Sequence, residues 1–223
     1  MIVLGIETAT RICSVGLAGE EGFIADSRRS GKTIHAEHLP NAVESVLRDA
    51  NIASHALDGI AVSIGPGSFT GLRIGVGMAK GLAYGWDKPL VAVPTMDGLV
   101  YQIPGCVQWA CVLLVARREE VYRGIYRWEG SSWELIDGYQ VIAVKNIDQG
   151  IPDHDILFIG EGATCHRKII QQQVERGHFP QAEEPLPSGY VVAAKGRELL
   201  KQGEVADIDT LVPLYLKRFQ GVA

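Results

Sequence analysis

The chain predicts a two-lobed α/β protein, each lobe a mixed sheet with helices, and a cleft between the lobes. Three observations predict it. Strand-like runs at 2–6, 13–18 and 23–26 precede a helical stripe, a strand at 58–64, a glycine-rich helix and a strand at 90–93. A three-strand meander begins again near residue 109 and is followed by a further strand and helices, without obvious sequence identity to the first half. The junction falls at 102–107, around Pro104-Gly105, which sets lobes of 1–103 and 104–223.

Ile2-Val3-Leu4-Gly5-Ile6 ends in Glu7-Thr8-Ala9-Thr10, the pattern of a central strand whose polar end emerges at a site. The next two strands turn on Gly19-Glu20-Glu21-Gly22 and complete an antiparallel meander. From His35 the period is helical, with Leu39, Val43, Val46, Leu47 and Ala50 on one stripe. Pro40 is tolerated only near a first turn, so the regular helix is expected to begin at Glu37 or His38. The 58–64 strand feeds Gly65-Pro66-Gly67-Ser68-Phe69-Thr70-Gly71-Leu72-Arg73, a tight turn opening a helix, with Ser68 or Thr70 placed to cap it. In the second half, 109–116, 120–128 and 133–141 read as strands. A further strand at 156–159 meets Gly160-Glu161-Gly162, then a helix through Ile169, Ile170 and Val174, and a last helix at 191–202.

Composition narrows the function classes. With 26 acidic against 21 basic residues the formal charge is −5, which argues against a protein that grips nucleic acid unaided. Cys13, Cys106, Cys111 and Cys165 form no paired metal-ligand spacing and suit a reducing, cytoplasmic setting. A basic leader is absent from the N-terminal residues, and no apolar stretch is long enough to span a bilayer, so no membrane partner is expected.

The helix behind the glycine turn is unusual. Gly71, Gly75, Gly77 and Gly81 together would cost about 3–4 kcal/mol relative to alanine in an exposed helix, so something must compensate. One reading makes the turn a phosphate cradle, although its spacing matches neither the P-loop nor the dinucleotide fingerprint. The other makes the small residues a surface for close helix approach, since only Arg73 and Lys80 are charged between Gly71 and Ala83. Cover from within the same domain and cover by a partner are equally compatible with these residues.

The segments Gly5-Ile6-Glu7-Thr8-Ala9-Thr10, Gly65 to Arg73, Val93-Pro94-Thr95, Ala116-Arg117-Arg118-Glu119-Glu120-Val121-Tyr122, Gly160-Glu161-Gly162 and Pro213-Leu214-Tyr215-Leu216-Lys217 together resemble the bacterial TsaB (YeaZ) family, over almost the whole chain. The resemblance implies the actin/Hsp70/sugar-kinase-like (ASKHA, ribonuclease-H-like) fold. It also implies a non-catalytic role beside a TsaD-like subunit that makes threonylcarbamoyladenosine (t6A) in tRNA. A TsaE-like ATPase joins that pair, tRNA is held only through the complex, and the chain alone is expected to form a homodimer. The resemblance places the partner face on the two N-lobe helices, at His35, Leu39, Val43 and Val46 of the first and Gly71, Ile74, Gly75, Met78, Ala79 and Leu82 of the second. Val115 and Glu119 stand where the family usually has Asp and Gly, which reads as decay of an ancestral nucleotide cleft.

Glu7, Thr8, Thr10, Gly65, Gly67 and Ser68 are then the remains of a nucleotide site, one that binds ATP or ADP weakly and requires no cofactor. A phosphotransferase of this fold needs acids from both lobes to hold magnesium against phosphates, and Val115 supplies none. Glu7 is read instead as a carboxylate capping nearby amides. His35 and His38 share a helix start, but no third ligand is evident and no metal is expected. The competing class is a nucleotide-dependent enzyme, an ATPase or glycoprotease-like peptidase. A peptidase needs a nucleophile–base pair, and Ser68 is the only suggestive serine, better explained as a cap. On 120–122, Val121 is expected to face the core, with Glu120 and Tyr122 opposite.

Overall fold

A computed structural model describes residues 1–31, 34–117, 119–181 and 185–216; Arg118 and Lys217, on which the family resemblance draws, lie outside them. The first half runs β1 (Val3–Glu7), β2 (Ile12–Gly19), β3 (Gly22–Ser30), α1 (His35–Asp49), β4 (Gly59–Gly65), α2 (Phe69–Trp86), β5 (Leu90–Pro94) and α3 (Thr95–Val100). The second half continues with β6 (Trp109–Val115), β7 (Glu120–Trp128), β8 (Trp133–Leu135), β9 (Gln140–Ala143), β10 (Ile156–Ile159), α4 (Glu161–Cys165), α5 (Arg167–Gln173), β11 (Gly177–His178) and α6 (Gly189–Lys201).

The two sheets share one plan. In the first, ordered β3-β2-β1-β4-β5, β1 pairs antiparallel with β2 and parallel with β4. In the second, ordered β11-β10-β6-β7-β8, β6 holds the same place, antiparallel to β7 and parallel to β10. The repeat expected from the sequence is therefore real, and Val115 at the end of β6 corresponds to Glu7 at the end of β1. Val121 is buried in the second core, with Glu120 and Tyr122 half-buried, as alternation requires.

The chain divides into two compact units, but not at the expected boundary. Met1–Gly98 is completed by Pro187–Leu214, while Leu99–Leu186 forms the second unit with Tyr215 and Leu216. Assigning everything after 103 to the second lobe is thus corrected: α6 packs on β1, β2, β4 and β5 of the first sheet. Small residues make that possible. A Cβ added to Gly5 would lie 2.1 Å from the Gly189 carbonyl oxygen, and one added to Gly16 would lie 2.2 Å from the Tyr190 amide. Backbone meets backbone, and the first free amides of α6 find partners: Gly189 donates to Ser14 Oγ, Tyr190 to Asp26 Oδ1 and Val191 to the capping Ser188 Oγ.

The opposite face of the first sheet carries α1 and α2. Leu4, Ile6, Val15, Leu17, Ile60 and Val62 pack there against Leu39, Ala42, Val43 and Val46 of α1 and Val76, Ala79 and Ala83 of α2. Helix α1 begins at His35, earlier than expected, with Pro40 inside it. Ala36 and Pro40 are both exposed, so the carbonyl left unpaired by the proline faces water. The expected single strand at 133–141 is two, β8 and β9, both on β7. The turn expected at Gly160-Glu161-Gly162 opens a short helix, α4, and the helix expected through Ile169 is α5, which ends at Gln173, before Val174. No helix among the described residues is long and apolar enough to cross a membrane.

Candidate functional site

Glu7 closes β1 with its side chain buried. Its Oε1 accepts the Ala9 amide at 2.6 Å, the amide-capping role the sequence suggests. Burial pushes the carboxyl up to about 7, against the Ala9 amide and the Ser63 hydroxyl, which favour the charged form. The Cys13 thiol is likewise raised to about 11, by burial and by the nearby Glu7 charge.

The glycine turn is filled by its own chain. The Ser68 amide donates to the Ala9 carbonyl at 2.6 Å, and a Cβ added to Gly67 would lie 2.2 Å from that same oxygen. Gly71 and Gly75 sit over Thr8: added Cβ atoms would lie 2.1 Å from its carbonyl oxygen and 2.1 Å from its Oγ1. Ser68 is the N-cap of α2, accepting the Gly71 amide through Oγ at 3.2 Å and the Leu72 amide through its carbonyl at 2.9 Å. Three amides suited to a phosphate thus already have partners, and the Thr8 and Ala9 carbonyl oxygens crowd the turn with negative partial charge. Thr10 is beside this cluster, its carbonyl 3.0 Å from His35 Nε2 and its Oγ1 accepting the Ile12 amide at 3.2 Å. Gly65 leads in with φ +112°, beneath Leu72 and the Leu214 carbonyl.

The residues expected to face a partner divide sharply. Leu39, Val43, Val46, Gly71, Gly75 and Ala79 are buried in the first unit, so they are core residues rather than a presented surface. The α1 stripe that the resemblance places at the partner face is the stripe that packs on the sheet. Close approach at Gly71 and Gly75 is to Thr8 and not to a helix. His35 is buried against Thr10. Ile74, Met78 and Leu82 remain, half-buried along one edge of α2.

The outer face of α2 holds what the sequence reading missed. Gly77, Gly81 and Gly85 repeat at four-residue spacing, and nothing among the described residues lies within 4 Å of a Cβ added to any of them. Beside this bare row runs a second row of Ile74, Met78, Leu82 and Trp86, partly buried against the first core. Tyr84, 84% exposed, stands beside the glycine row, on the side away from the apolar one. Burial decides which glycine faces which way, and a four-glycine count cannot. The continuation of the 73, 77, 81, 85 row was the available signal.

Comparison with known proteins agrees with this architecture. The protein-family model described as "TsaD: tRNA N6-adenosine threonylcarbamoyltransferase" matches residues 30–220. The tRNA threonylcarbamoyladenosine biosynthesis protein TsaB of Bacillus subtilis is 30% identical over 220 residues, covering 97% of this chain and 94% of the relative. The chain belongs to the TsaB (YeaZ) family. A Pseudomonas aeruginosa protein described as similar to peptidase YEAZ superposes with a TM-score of 0.83 at 27% identity, over 97% of this chain and 99% of that one. The activator of 2-hydroxyisocaproyl-CoA dehydratase from Clostridium difficile, solved with bound ADPNP, gives a TM-score of 0.50 at 9% identity over 93% of this chain and 99% of that one. That likeness concerns the fold alone, which is of the actin/Hsp70 type.

Proposed function

We propose that this chain is a non-catalytic scaffold in the synthesis of threonylcarbamoyladenosine in tRNA, docking a TsaD-like catalytic subunit through the outer face of α2 and the adjoining edge of α1. The observation that carries the reading is the Gly77–Gly81–Gly85 row beside Ile74, Met78 and Leu82. Three outward glycines weaken a helix by about 1 kcal/mol each relative to alanine, and no contact among the described residues offsets that. A helix laid along bare backbone does offset it, because the two axes approach closely and the apolar row supplies the buried area. A TsaE-like ATPase and tRNA join through that pair, and a second copy covers the same face when the partner is absent.

The non-catalytic assignment draws on the turn. Its amides are used by Ala9 and Ser68, and β6 ends in Val115 where a second acid would be needed. Neither ATP nor ADP is required for the scaffold role, and binding at Glu7, Thr8 and the turn is weak.

Gly81→Glu tests the docking surface. Glutamate is a better helix former than glycine and nothing crowds the position, so the isolated chain stays folded. Co-purification with a TsaD-like subunit should be lost. Undiminished complex formation by a folded Gly81→Glu protein would falsify the assignment.

A further inference from the structure

The turn that ends β1 touches the start of both helices on the docking face. Ala9 is held from behind by Glu7 Oε1 and holds Ser68, the N-cap of α2, through its carbonyl. Thr8 fills the space beneath Gly71 and Gly75, one turn and two turns into the same helix. Thr10 reaches the other helix, with its carbonyl 3.0 Å from Nε2 of His35, the first residue of α1. One buried carboxyl therefore braces three consecutive residues, Thr8 to Thr10, on which two helix starts rest.

We propose that Glu7 is a proton switch for the α1–α2 face: neutral, it keeps the Thr8–Thr10 turn packed beneath both helix starts, and ionised, it loosens them. The use of this switch in complex assembly rests on the docking role proposed above, whereas the motion itself does not.

The surroundings fit a group that is stable when neutral. From β2 the neighbours are Cys13 and Ser14, the latter paired in register with Glu7. Beyond Ser14, on β3, Asp26 accepts the Ser14 hydroxyl and has Arg28 3.5 Å away. From β4 comes Ser63, from α2 the glycines over Thr8, and from α6 the backbone of Gly189 and Ala193 against Gly5. On α1, His35 faces Thr10, and His38 lies near Arg29, which with burial lowers its pKa. A carboxylate here accepts the Ala9 amide, too little to replace its hydration. Opening the turn to water restores that hydration.

The linkage sign follows from the raised pKa. The packed turn holds the proton more tightly than the opened one, so opening becomes easier as pH climbs from the ordinary carboxyl value of 4.5 towards 7, and levels off above. Hydrogen exchange on the full chain reads this directly, at the amides of Ser68, Gly71, Leu72 and His38. Corrected for the intrinsic rate, opening should rise about twentyfold between pH 5.5 and 7.5, and Glu7→Gln should abolish the rise. A flat wild-type profile overturns the proposal. So does the same rise in Glu7→Gln, which assigns the effect to another group. Should Glu7→Gln fail to fold, carboxyl-carbon NMR on the wild type decides: a Glu7 midpoint near 7 shared by the Ser68 amide supports the switch, and a midpoint at the ordinary value removes it. No partner is present in either measurement, so a failed switch and a failed docking surface give separate results.

Discussion

Helix α2 carries glycine on two faces for opposite reasons. On the inward face, Gly71 and Gly75 leave room for Thr8, and a single methyl would collide with a carbonyl oxygen and a hydroxyl oxygen 2.1 Å away. On the outward face, Gly77, Gly81 and Gly85 leave room for nothing among the described residues. The same residue type in one helix is a packing requirement in the first case and an unoffset loss of stability in the second. Glycine content therefore says little until burial separates the faces, and the outward face is then the one that needs an outside explanation.

The sharpest way to break this contrast is a side chain on the inward face. Gly75→Val should cost on the order of 4 kcal/mol or more, since both Thr8 and its turn must move, and thermal melts should show it as a protein largely unfolded at 37 °C. A Gly75→Val protein as stable as wild type would mean that α2 does not lie on Thr8 as described.

Next in size is the buried acid beneath the turn. Folded Glu7 holds its proton more tightly than the unfolded chain does, so its contribution is fully favourable below pH 4.5 and is lost as pH rises through about 7. Denaturant melts should show a loss on the order of 3 kcal/mol between pH 4.5 and 8 from this group, and Glu7→Gln should remove that slope. The smallest effect belongs to the outward face. Gly77→Ala and Gly81→Ala should each stabilise the isolated chain, by up to about 1 kcal/mol, while weakening capture of a TsaD-like subunit. Stabilisation with undiminished capture would leave the bare row without the role assigned to it.

Much of the fold was legible because strands and helices have different apolar periods. Leu39, Val43 and Val46 announced a helix stripe, and the apolar runs of β1, β4, β6 and β10 announced buried strands. The Ser68 cap and the Glu7 amide contact were legible too, since both depend on neighbours within three residues. Long-range features were not. Nothing near Gly5, Gly16 or Gly189 says that a helix almost two hundred residues later will lie on the first strand, so α6 was assigned to the wrong unit. An apolar stripe also cannot announce whether its cover is its own sheet or another protein. That ambiguity put Leu39, Val43, Val46, Gly71 and Gly75 on a surface when they belong to a core.

The return of α6 to the first sheet has a consequence for synthesis. A ribosome that has delivered β1 to β5 has exposed a sheet with one face dressed by α1 and α2 and the other bare at Gly5, Gly16 and Ala61. That face stays bare while the bulk of the second unit, Leu99–Leu186, is translated, because its cover is encoded after residue 186. Most of the second unit is therefore in hand before the first sheet can be covered, although the first unit begins to emerge first.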